Sequence, residues 1–165
     1  MERADMKKTR IYEIIRWVSV ALVLALIVFH SLKNRVSAAD PAAVVQAVTA
    51  TVNTEEMQEA DAQMVKRLYG INPGDYDSCT LYYPTTNMGA DELLIVKLKD
   101  LSQQEALSAA AEARLQTQKT AFDGYGAEQF ALLSDHAVIE PRGNFFLFVV
   151  SANSEAAAAA FRSAL

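Results

Sequence analysis

The sequence is poor in the residues that build disulfides, metal centres and histidine-based active sites. Its 165 residues include one cysteine, Cys79, and two histidines, His30 and His136. A single cysteine excludes an intramolecular disulfide and a zinc site made of several cysteines. We interpret Cys79 as a small core residue at the start of a strand, and we predict no metal centre and no cofactor.

Catalytic motifs are missing as well. The chain has no GxSxG, SxxK or HExxH sequence, and its scattered glycines form no phosphate-binding loop. His136, with Asp135 beside it and Glu140 four residues later, could act as the general base of an envelope hydrolase, but no nucleophile motif accompanies it. A surface or half-buried histidine is the favoured interpretation, and we predict that the protein is not an enzyme.

Basic residues are scarce after the N-terminal region. Residues 39–165 carry 17 acidic and 8 basic side chains, a net charge of −9. This excess of negative charge opposes binding to nucleic acid and to an anionic bilayer surface. Asp75, Asp77 and Asp91 lie in predicted loops and could together bind calcium, but their spacing does not match an EF-hand loop, so a solvated acidic turn is favoured.

The one long apolar run of the sequence lies near the N-terminus. No charged residue occurs from Trp17 to Phe29, and the run extends outward to Ile11 and Leu32. A helix of that extended length is about 33 Å long, enough to cross the ~30 Å hydrocarbon layer of a bilayer. We therefore predict a membrane span through Trp17 and Phe29, with the Trp17 ring at an interface.

The basic residues around this run predict its orientation. Five of them precede or open the run and only Lys33 and Arg35 follow it closely, which favours a cytoplasmic N-terminus. Residues 39–165 then lie outside the cytoplasm of a single-pass membrane protein. A cleaved signal peptide is the alternative, because the small residues Val36, Ser37 and Ala38 could form a peptidase site. An uncleaved anchor over residues 1–38 is favoured.

The first part of the exported chain, residues 39–70, predicts two short amphipathic helices. Asp40 followed by proline is typical of a helix N-terminus, and valines then recur at helical spacing up to Val52. A second helix is predicted from Asn53 or Thr54 to Gly70, which suits the left-handed position after a helix. Its apolar face comprises Met57, Ala60, Met64 and Leu68.

Residues 71–165 predict an α+β domain in the order hairpin, helix, hairpin, helix, and they form one exported unit with residues 39–70. The four predicted strands are Cys79–Tyr83, Leu93–Leu98, Ala137–Glu140 and Phe145–Ser151. An Ala-rich helix between the hairpins begins at Ser102 and Glu105, which stand at capping-box spacing. Strands grouped in hairpins favour a four-stranded antiparallel sheet with the long helix across one face, a two-layer sandwich.

The last predicted strand is apolar on both faces. Phe145, Leu147 and Val149 alternate along it with two further phenylalanines and Val150. The favoured explanation is a central strand covered by helices on both sides, with the first two helices as the second cover. The alternative is an open apolar face that awaits a partner.

Several short motifs resemble a known bacterial family. These are Leu68–Gly70, Gly89–Glu92 before a strand, Gly143–Asn144 before the Phe-rich strand, and Arg114, Gln118, Phe122 and Tyr125 along and just after the long helix. In combination they resemble the domain-of-unknown-function family numbered 4358 over about residues 40–165. The resemblance implies a short exported protein of Firmicutes, held at the membrane by a lipid or an N-terminal helix. It implies no activity, and this chain has no cysteine after the apolar run that could carry a lipid.

Two groups of side chains are candidates for binding. Arg114 and Gln118 lie one helical turn apart, and Tyr125 follows the helix closely enough to join them around a carboxylate or polar ligand. A structural polar cluster, with Arg114 paired to a nearby acid, is the favoured alternative. Tyrosines near the first hairpin form the second group, because tyrosine is common at binding surfaces as well as in cores. They are Tyr76, Tyr82 and Tyr83.

These observations lead to three hypotheses of function. The leading one is a membrane-anchored, non-catalytic interaction or sensing module that contacts another envelope protein through the tyrosine-rich hairpin and the sheet face opposite the long helix. The second is a small-ligand-binding domain that uses the Arg114 group. The third, an envelope hydrolase, depends only on His136. The sequence favours no nucleic-acid partner under any of them.

Overall fold

The protein is described from a computed structural model, which covers residues 16–26 and 36–165. The chain divides into two units between Arg35 and Val36, and each is treated by itself. Residues 16–26 are helical (α1), with the Arg16 guanidinium 5.7 Å from the centre of the Trp17 ring. Within the described ranges no helix is long and apolar enough to cross a membrane. Much of the predicted span, including Phe29, lies outside those ranges.

The second unit is built on one antiparallel sheet. Its five strands are β1 (Met57–Glu59), β2 (Ser78–Pro84), β3 (Glu92–Lys97), β4 (Ala137–Arg142) and β5 (Phe145–Val150), in the order β1-β2-β3-β5-β4. Its helices are α2 (Pro41–Thr49), α3 (Ala62–Tyr69), α4 (Gln103–Phe122), α5 (Ala127–Asp135) and α6 (Ser154–Ala164), with a 3-10 turn at Pro73–Asp75. The α+β class and both predicted hairpins are confirmed, whereas the count of four strands is wrong.

Helices cover both faces of the sheet, so the unit has three layers and the predicted two-layer sandwich is wrong. The helices α3, α4 and α5 pack on one face against Leu94, Phe146 and Phe148. The helices α2 and α6 pack on the other face, where Phe161 of α6 and Val48 of α2 are fully buried. Every residue of β5 is buried, as expected for a covered central strand. The second cover consists of α2 and α6, and within residues 36–165 no apolar face of the sheet is left open.

The fifth strand occupies sequence that predicted a helix. Met57 pairs with Pro84 in the β1–β2 ladder, and α3 begins only after Asp61, whose carboxylate accepts a 2.7 Å hydrogen bond from the Met64 amide. This N-cap fixes the start of α3 and frees the preceding residues for the sheet. The buried residues of α3 are Val65 and Tyr69. Of the predicted apolar face, Leu68 is only partly buried against the same core, and Met57 and Ala60 lie before the helix. The predicted C-terminus at Gly70 is confirmed, with φ of 69°.

The side chain that caps the start of α4 also differs from the prediction. Ser102 makes no side-chain capping bond, so the proposed capping box is absent at this helix. The Gln103 Oε1 instead accepts from the amides of Lys99 (3.0 Å) and Asp100 (3.1 Å). The helix still runs to Phe122, as the sequence predicts.

Residues 36–39 belong to the second unit and are fixed to it by hydrogen bonds. The Asn144 side chain accepts a 2.7 Å bond from the Ser37 amide and donates a 3.1 Å bond to the Ser37 carbonyl. The Ser37 hydroxyl donates to the Leu165 carbonyl at 2.9 Å, and Lys97 Nζ donates to the Ala39 carbonyl at 3.1 Å. The chain therefore enters the globular unit beside its last residue.

Candidate functional site

A buried carboxylate lies at the centre of the most polar part of the core. Glu92, the first residue of β3, has 0% of its surface exposed and points to the face covered by α4. A buried charge is costly unless it is paired and hydrogen-bonded. The Glu92 carboxylate accepts hydrogen bonds from three residues, Tyr69 of α3 and Arg114 and Gln118 of α4. We call these four residues the Glu92 cluster.

Arg114 neutralises the charge of Glu92 through a two-pronged contact. Its Nη2 lies 2.7 Å from Glu92 Oε2, and its Nε lies 3.1 and 3.2 Å from the two carboxylate oxygens. Burial alone would lower the pKa of Arg114, but hydrogen bonding to Glu92 and its negative charge outweigh burial and raise that pKa. Arg114 is therefore a permanent cation.

Tyr69 donates its hydroxyl hydrogen to Glu92 Oε1. Its ring packs edge-on against Phe148 of β5, with ring centres 6.2 Å apart. Burial, and after it the negative charge of Glu92, raises the pKa of Tyr69 well above its ordinary value. The phenol therefore stays protonated and remains a donor to the carboxylate.

Gln118 leaves one polar atom of the cluster without a partner. Its Nε2 donates to Glu92 Oε2 at 2.9 Å, which fixes the orientation of the side-chain amide because the opposite orientation would place two acceptors together. Its Oε1 is buried and has no hydrogen-bond partner among the described residues. An unpaired buried carbonyl oxygen costs about 1–3 kcal/mol, so this position is unfavourable as it stands.

The Glu92 cluster borders a cleft of about 460 Å³ between α3, α4 and the loop that joins β2 to β3. The cleft is lined by Gln58, Met64, Arg67, Leu68, Tyr83, Pro84, Thr85, Thr86, Asn87, Gly89, Arg114, Thr117, Gln118, Ala121 and Phe122. Two arginines and no acidic residue occur among these lining side chains. Arg67 is exposed and forms no ion pair or hydrogen bond with the described residues. The cleft is therefore more basic than the strongly acidic unit around it.

The loop wall of the cleft is closely packed. A Cβ atom built on Gly89 would lie 2.7 Å from the Cβ of Pro84, nearer than two such carbons approach. Glycine at this position therefore lets the loop close against the end of β2. Across the cleft, Phe122 is 4% exposed and forms part of the apolar wall.

The structure brings together two of the three predicted ligand-binding residues. Arg114 and Gln118 both contact Glu92 and both line the cleft. Tyr125 is not with them, because α4 ends at Phe122 and Gly124 turns the chain with φ of 85°. Tyr125 is 66% exposed, lies 5.9 Å from the Phe122 ring centre, and lines a second hollow with Phe130.

The three candidate tyrosines do not form one surface. Tyr76 is buried in the core on the α4 side of the sheet. Tyr82 and Tyr83 are neighbours in β2 and point to opposite faces, so Tyr82 packs near α2 while Tyr83 lines the cleft. Because successive residues of a strand point to opposite faces, the sequence was sufficient to predict that Tyr82 and Tyr83 do not share a surface.

The remaining candidates lie apart from the cleft. His136 is exposed at the end of α5, and Glu140 is paired with Arg162 (3.0 Å) and Arg142 (3.8 Å). Asp77 is 3.5 Å from Lys97 Nζ. Within residues 16–26 and 36–165 there is no group of three or more histidine, cysteine or acidic side chains that could hold a metal ion.

The sequence did not single out Glu92, Tyr69 or Arg67 as functional residues. Glu92 and Tyr69 stand within the motifs that resemble the family, Gly89–Glu92 and Leu68–Gly70, so a signal for both was present. Arg67 carried no signal, because one exposed arginine on a short helix resembles any solvated surface charge.

Comparisons with known proteins give one positive finding. Neither curated proteins nor solved structures provide a significant match to this chain. The model of the family described as "Domain of unknown function (DUF4358)" matches residues 50–151, which include β1 to β5, the whole Glu92 cluster and every residue that lines the cleft. The chain belongs to the DUF4358 family.

Proposed function

We propose that this protein is a single-pass membrane protein of the cell envelope whose globular unit lies outside the cytoplasm and binds a ligand in the cleft beside the Glu92 cluster. The observation that carries the binding role is the unpartnered Oε1 of Gln118, next to Arg114, in a residue that lines the cleft. A bound group that donates a hydrogen bond would satisfy this oxygen. A cleft of this volume also lies in the ~300–1,000 Å³ range of small-molecule sites.

The proposed role is binding without catalysis. The carboxylate of Glu92 accepts from Arg114, Gln118 and Tyr69, so its oxygens are engaged and it is a poor general base. No histidine, cysteine or acidic residue is among the side chains that line the cleft. Arginine, amide and hydroxyl groups are suited to holding a polar ligand in place.

The proposed location depends on the N-terminal sequence. The apolar run from Ile11 to Leu32 has the length of a span, and the excess of basic residues before it favours a cytoplasmic N-terminus. A cysteine at the exposed position Ser163, in a chain that also carries Cys79→Ala, tests this location. We expect a membrane-impermeant maleimide to label Ser163→Cys in intact cells, and labelling only after lysis would contradict the proposed orientation.

A pair of variants on α4 tests the binding role. Thr117 lines the cleft and Thr120 does not, yet both are exposed and both donate their hydroxyl hydrogen to a carbonyl of the preceding turn. Thr117→Trp should fill the cleft, and Thr120→Trp is its matched control. The probe is a low-molecular-mass extract of the host envelope, added to the full-length chain in neutral nanodiscs.

The readout of this test is thermal unfolding of the globular unit. A ligand present at 100 times its Kd stabilises a protein by about 2.7 kcal/mol. We expect the extract to raise the unfolding temperature of the wild type and of Thr120→Trp, and to leave Thr117→Trp unchanged. Equal shifts in all three proteins, or no shift in the wild type, would contradict a ligand site in the cleft.

Recognition of another envelope protein by the β2–β3 hairpin is the second candidate function. Met88 in this hairpin is 54% exposed, and Tyr83 of the same hairpin faces the cleft. Tyr82 and Tyr83 face opposite ways, so they are tested singly. Tyr83→Ser should reduce recovery of the partner from mildly cross-linked membranes, whereas Tyr82→Ser should not. Equal recovery with both variants and the wild type would remove the hairpin as a contact surface.

A further inference from the structure

We propose, building on the ligand-binding role above, that the cleft recognises the carboxylate of an N-acylated amino acid, as at the free carboxyl end of a peptide. In this arrangement Arg67 binds the carboxylate, the oxygen of Gln118 accepts from the adjacent amide N–H, and the apolar wall of the cleft holds the side chain. Each of the three contacts follows from a separate feature of the cleft.

The anionic group of the ligand follows from the charges that line the cleft. The positive charge of Arg114 is balanced by Glu92, 2.7 Å away, so Arg114 adds no net charge. Arg67 is exposed and has no ion pair with any described residue, although Asp61 lines a neighbouring hollow with it. Its guanidinium is therefore available to a ligand in the cleft. A guanidinium presents parallel N–H groups that match a carboxylate. The cleft is therefore suited to a ligand with one negative group.

The unpaired side-chain oxygen of Gln118 indicates that the ligand carries an N–H group. This residue is 6% exposed, and its orientation is set by the bond from its Nε2 to Glu92. Its buried Oε1 can only accept, and none of the described residues donates to it. A ligand amide that reaches this oxygen would supply the missing hydrogen bond. An ester in the same place would leave the oxygen unpaired.

The apolar part of the ligand follows from the remaining wall. Met64 and Leu68 of α3 lie one turn apart on the same helix that carries Arg67, and Phe122 of α4 contributes an aromatic ring. The carboxylate site and an apolar surface are therefore adjacent. This combination fits an amino acid with an apolar side chain better than an inorganic anion or a sugar.

Three tripeptide probes separate these contacts. The first is acetyl-Ala-Ala-Leu with a free carboxyl group, the second is its C-terminal amide, and the third is the acid with an ester oxygen in place of the leucine N–H. Calorimetric titration uses the full-length chain in neutral nanodiscs. For the wild type we expect amidation to weaken binding about tenfold or more, and the ester to weaken it about fivefold.

Variants of adjacent residues assign each preference to its residue. Arg67→Gln should remove the preference for acid over amide, while Lys66→Gln, an exposed neighbour outside the cleft, should retain it. Gln118→Met should bind the free acid and its ester analogue equally, because the oxygen that accepts from the leucine N–H is gone. Equal binding of acid and amide to the wild type, or an unchanged preference in Arg67→Gln, would overturn the proposal. Acetyl-leucine is a fourth probe. If the natural ligand is a free acylated amino acid, the cleft should bind acetyl-leucine as tightly as the tripeptide. If the ligand is the end of a peptide, acetyl-leucine should bind more weakly.

The outcomes also separate this proposal from the binding role on which it rests. If no probe binds but the envelope extract still stabilises the wild type and not Thr117→Trp, the ligand class is wrong and the binding role stands. If neither the probes nor the extract act on the wild type, both proposals are wrong.

Discussion

Arg114 contacts the carboxylate of Glu92 with two of its nitrogens, and Glu92 is completely buried while the Arg114 side chain is 15% exposed. Removal of one partner from such a pair leaves an uncompensated charge in the core. Replacement of both partners by apolar side chains leaves none. The two kinds of change should therefore differ greatly in their effect on stability.

We expect Arg114→Met to lower the free energy of unfolding by about 3–5 kcal/mol. The combined variant Glu92→Met, Arg114→Met, Tyr69→Phe and Gln118→Met should lower it far less, because no buried charge or donor then loses its partner. Urea denaturation followed by far-ultraviolet circular dichroism measures both, since the one tryptophan, Trp17, lies outside the globular unit. Arg142→Met is the control, because the Arg142–Glu140 contact is 3.8 Å long and part-exposed and should contribute less than about 1 kcal/mol. Equal losses in Arg114→Met and Arg142→Met would contradict a buried, neutralised Glu92.

The contribution of Tyr69 to the stability of the protein should decrease at alkaline pH. Tyr69→Phe keeps the ring that packs on Phe148 but removes the hydrogen bond to Glu92, a charged acceptor. We expect a loss of about 1.5–3 kcal/mol at neutral pH. The folded pKa of Tyr69 is raised above the unfolded value near 10, so its contribution is complete below pH 10 and is lost as pH rises further.

The difference between wild type and Tyr69→Phe should therefore be constant up to about pH 10 and then shrink by ~1.4 kcal/mol per pH unit. Urea denaturation between pH 7 and pH 11 measures this difference. Groups with raised pKa values that do not interact with Tyr69, such as Tyr82, affect both proteins alike and cancel in the comparison. A difference that stays constant through pH 11 would show that Tyr69 ionises equally easily in the folded and unfolded chains.

The sequence predicted one side of this cluster and not the other. Arg114 and Gln118 share a face of α4 because they are four residues apart, and helical spacing is sufficient to place them together. Their carboxylate partner, Glu92, is 22 residues from Arg114 along the chain, so the pairing depends on which strand lies under the helix. That strand packing is a tertiary property that a single sequence pattern does not contain.

Other differences have local causes. The strand β1 has three residues with one buried, Met57, and such a short segment has no periodicity to detect. Tyr125 was predicted to join Arg114 and Gln118 because it follows them closely along the chain. The helix ends at Phe122, however, and the turn at Gly124 directs the chain away. A second helical cover was predicted, but the part of α6 in it was missed because α6 is rich in alanine. Its Ala157 and Ala158 are nevertheless buried against the sheet.

Cys79 should react slowly with alkylating agents in the folded protein. Burial raises the pKa of the Cys79 thiol to about 11, from an ordinary value of 9.0. At pH 8 this shift lowers the thiolate fraction about 100-fold, and the thiolate is the reactive form. We expect alkylation by iodoacetamide at least about 100-fold slower than in the urea-unfolded chain. A cysteine at Ser163 in the Cys79→Ala chain should react at nearly the same rate in both states, and equally fast reaction of folded Cys79 would contradict its burial.

The hydrogen bonds between Asn144 and Ser37 predict how firmly the entry to the globular unit is held. Asn144→Asp retains an acceptor for the Ser37 amide but replaces the donor to the Ser37 carbonyl with a second acceptor. An acceptor facing a carbonyl is repulsive, so the segment that contains Val36, Ser37 and Ala38 should detach more often. We expect hydrogen exchange at the Ser37 amide to rise about tenfold or more, as for the loss of ~1.4 kcal/mol or more of local stability.

Proteolysis gives an independent measure of the same detachment. Proteases need an extended, mobile segment, and the wild-type chain is held at both Ser37 and Ala39. Cleavage near Ala38 by an added protease should therefore be faster in Asn144→Asp than in the wild type. Asn153→Asp, at an exposed position, is the matched control and should change neither exchange nor cleavage. If Asn144→Asp behaves like this control, the two bonds between Asn144 and Ser37 contribute nothing, and the segment is held instead by the Ser37 hydroxyl bond to Leu165 and the Lys97 bond to Ala39.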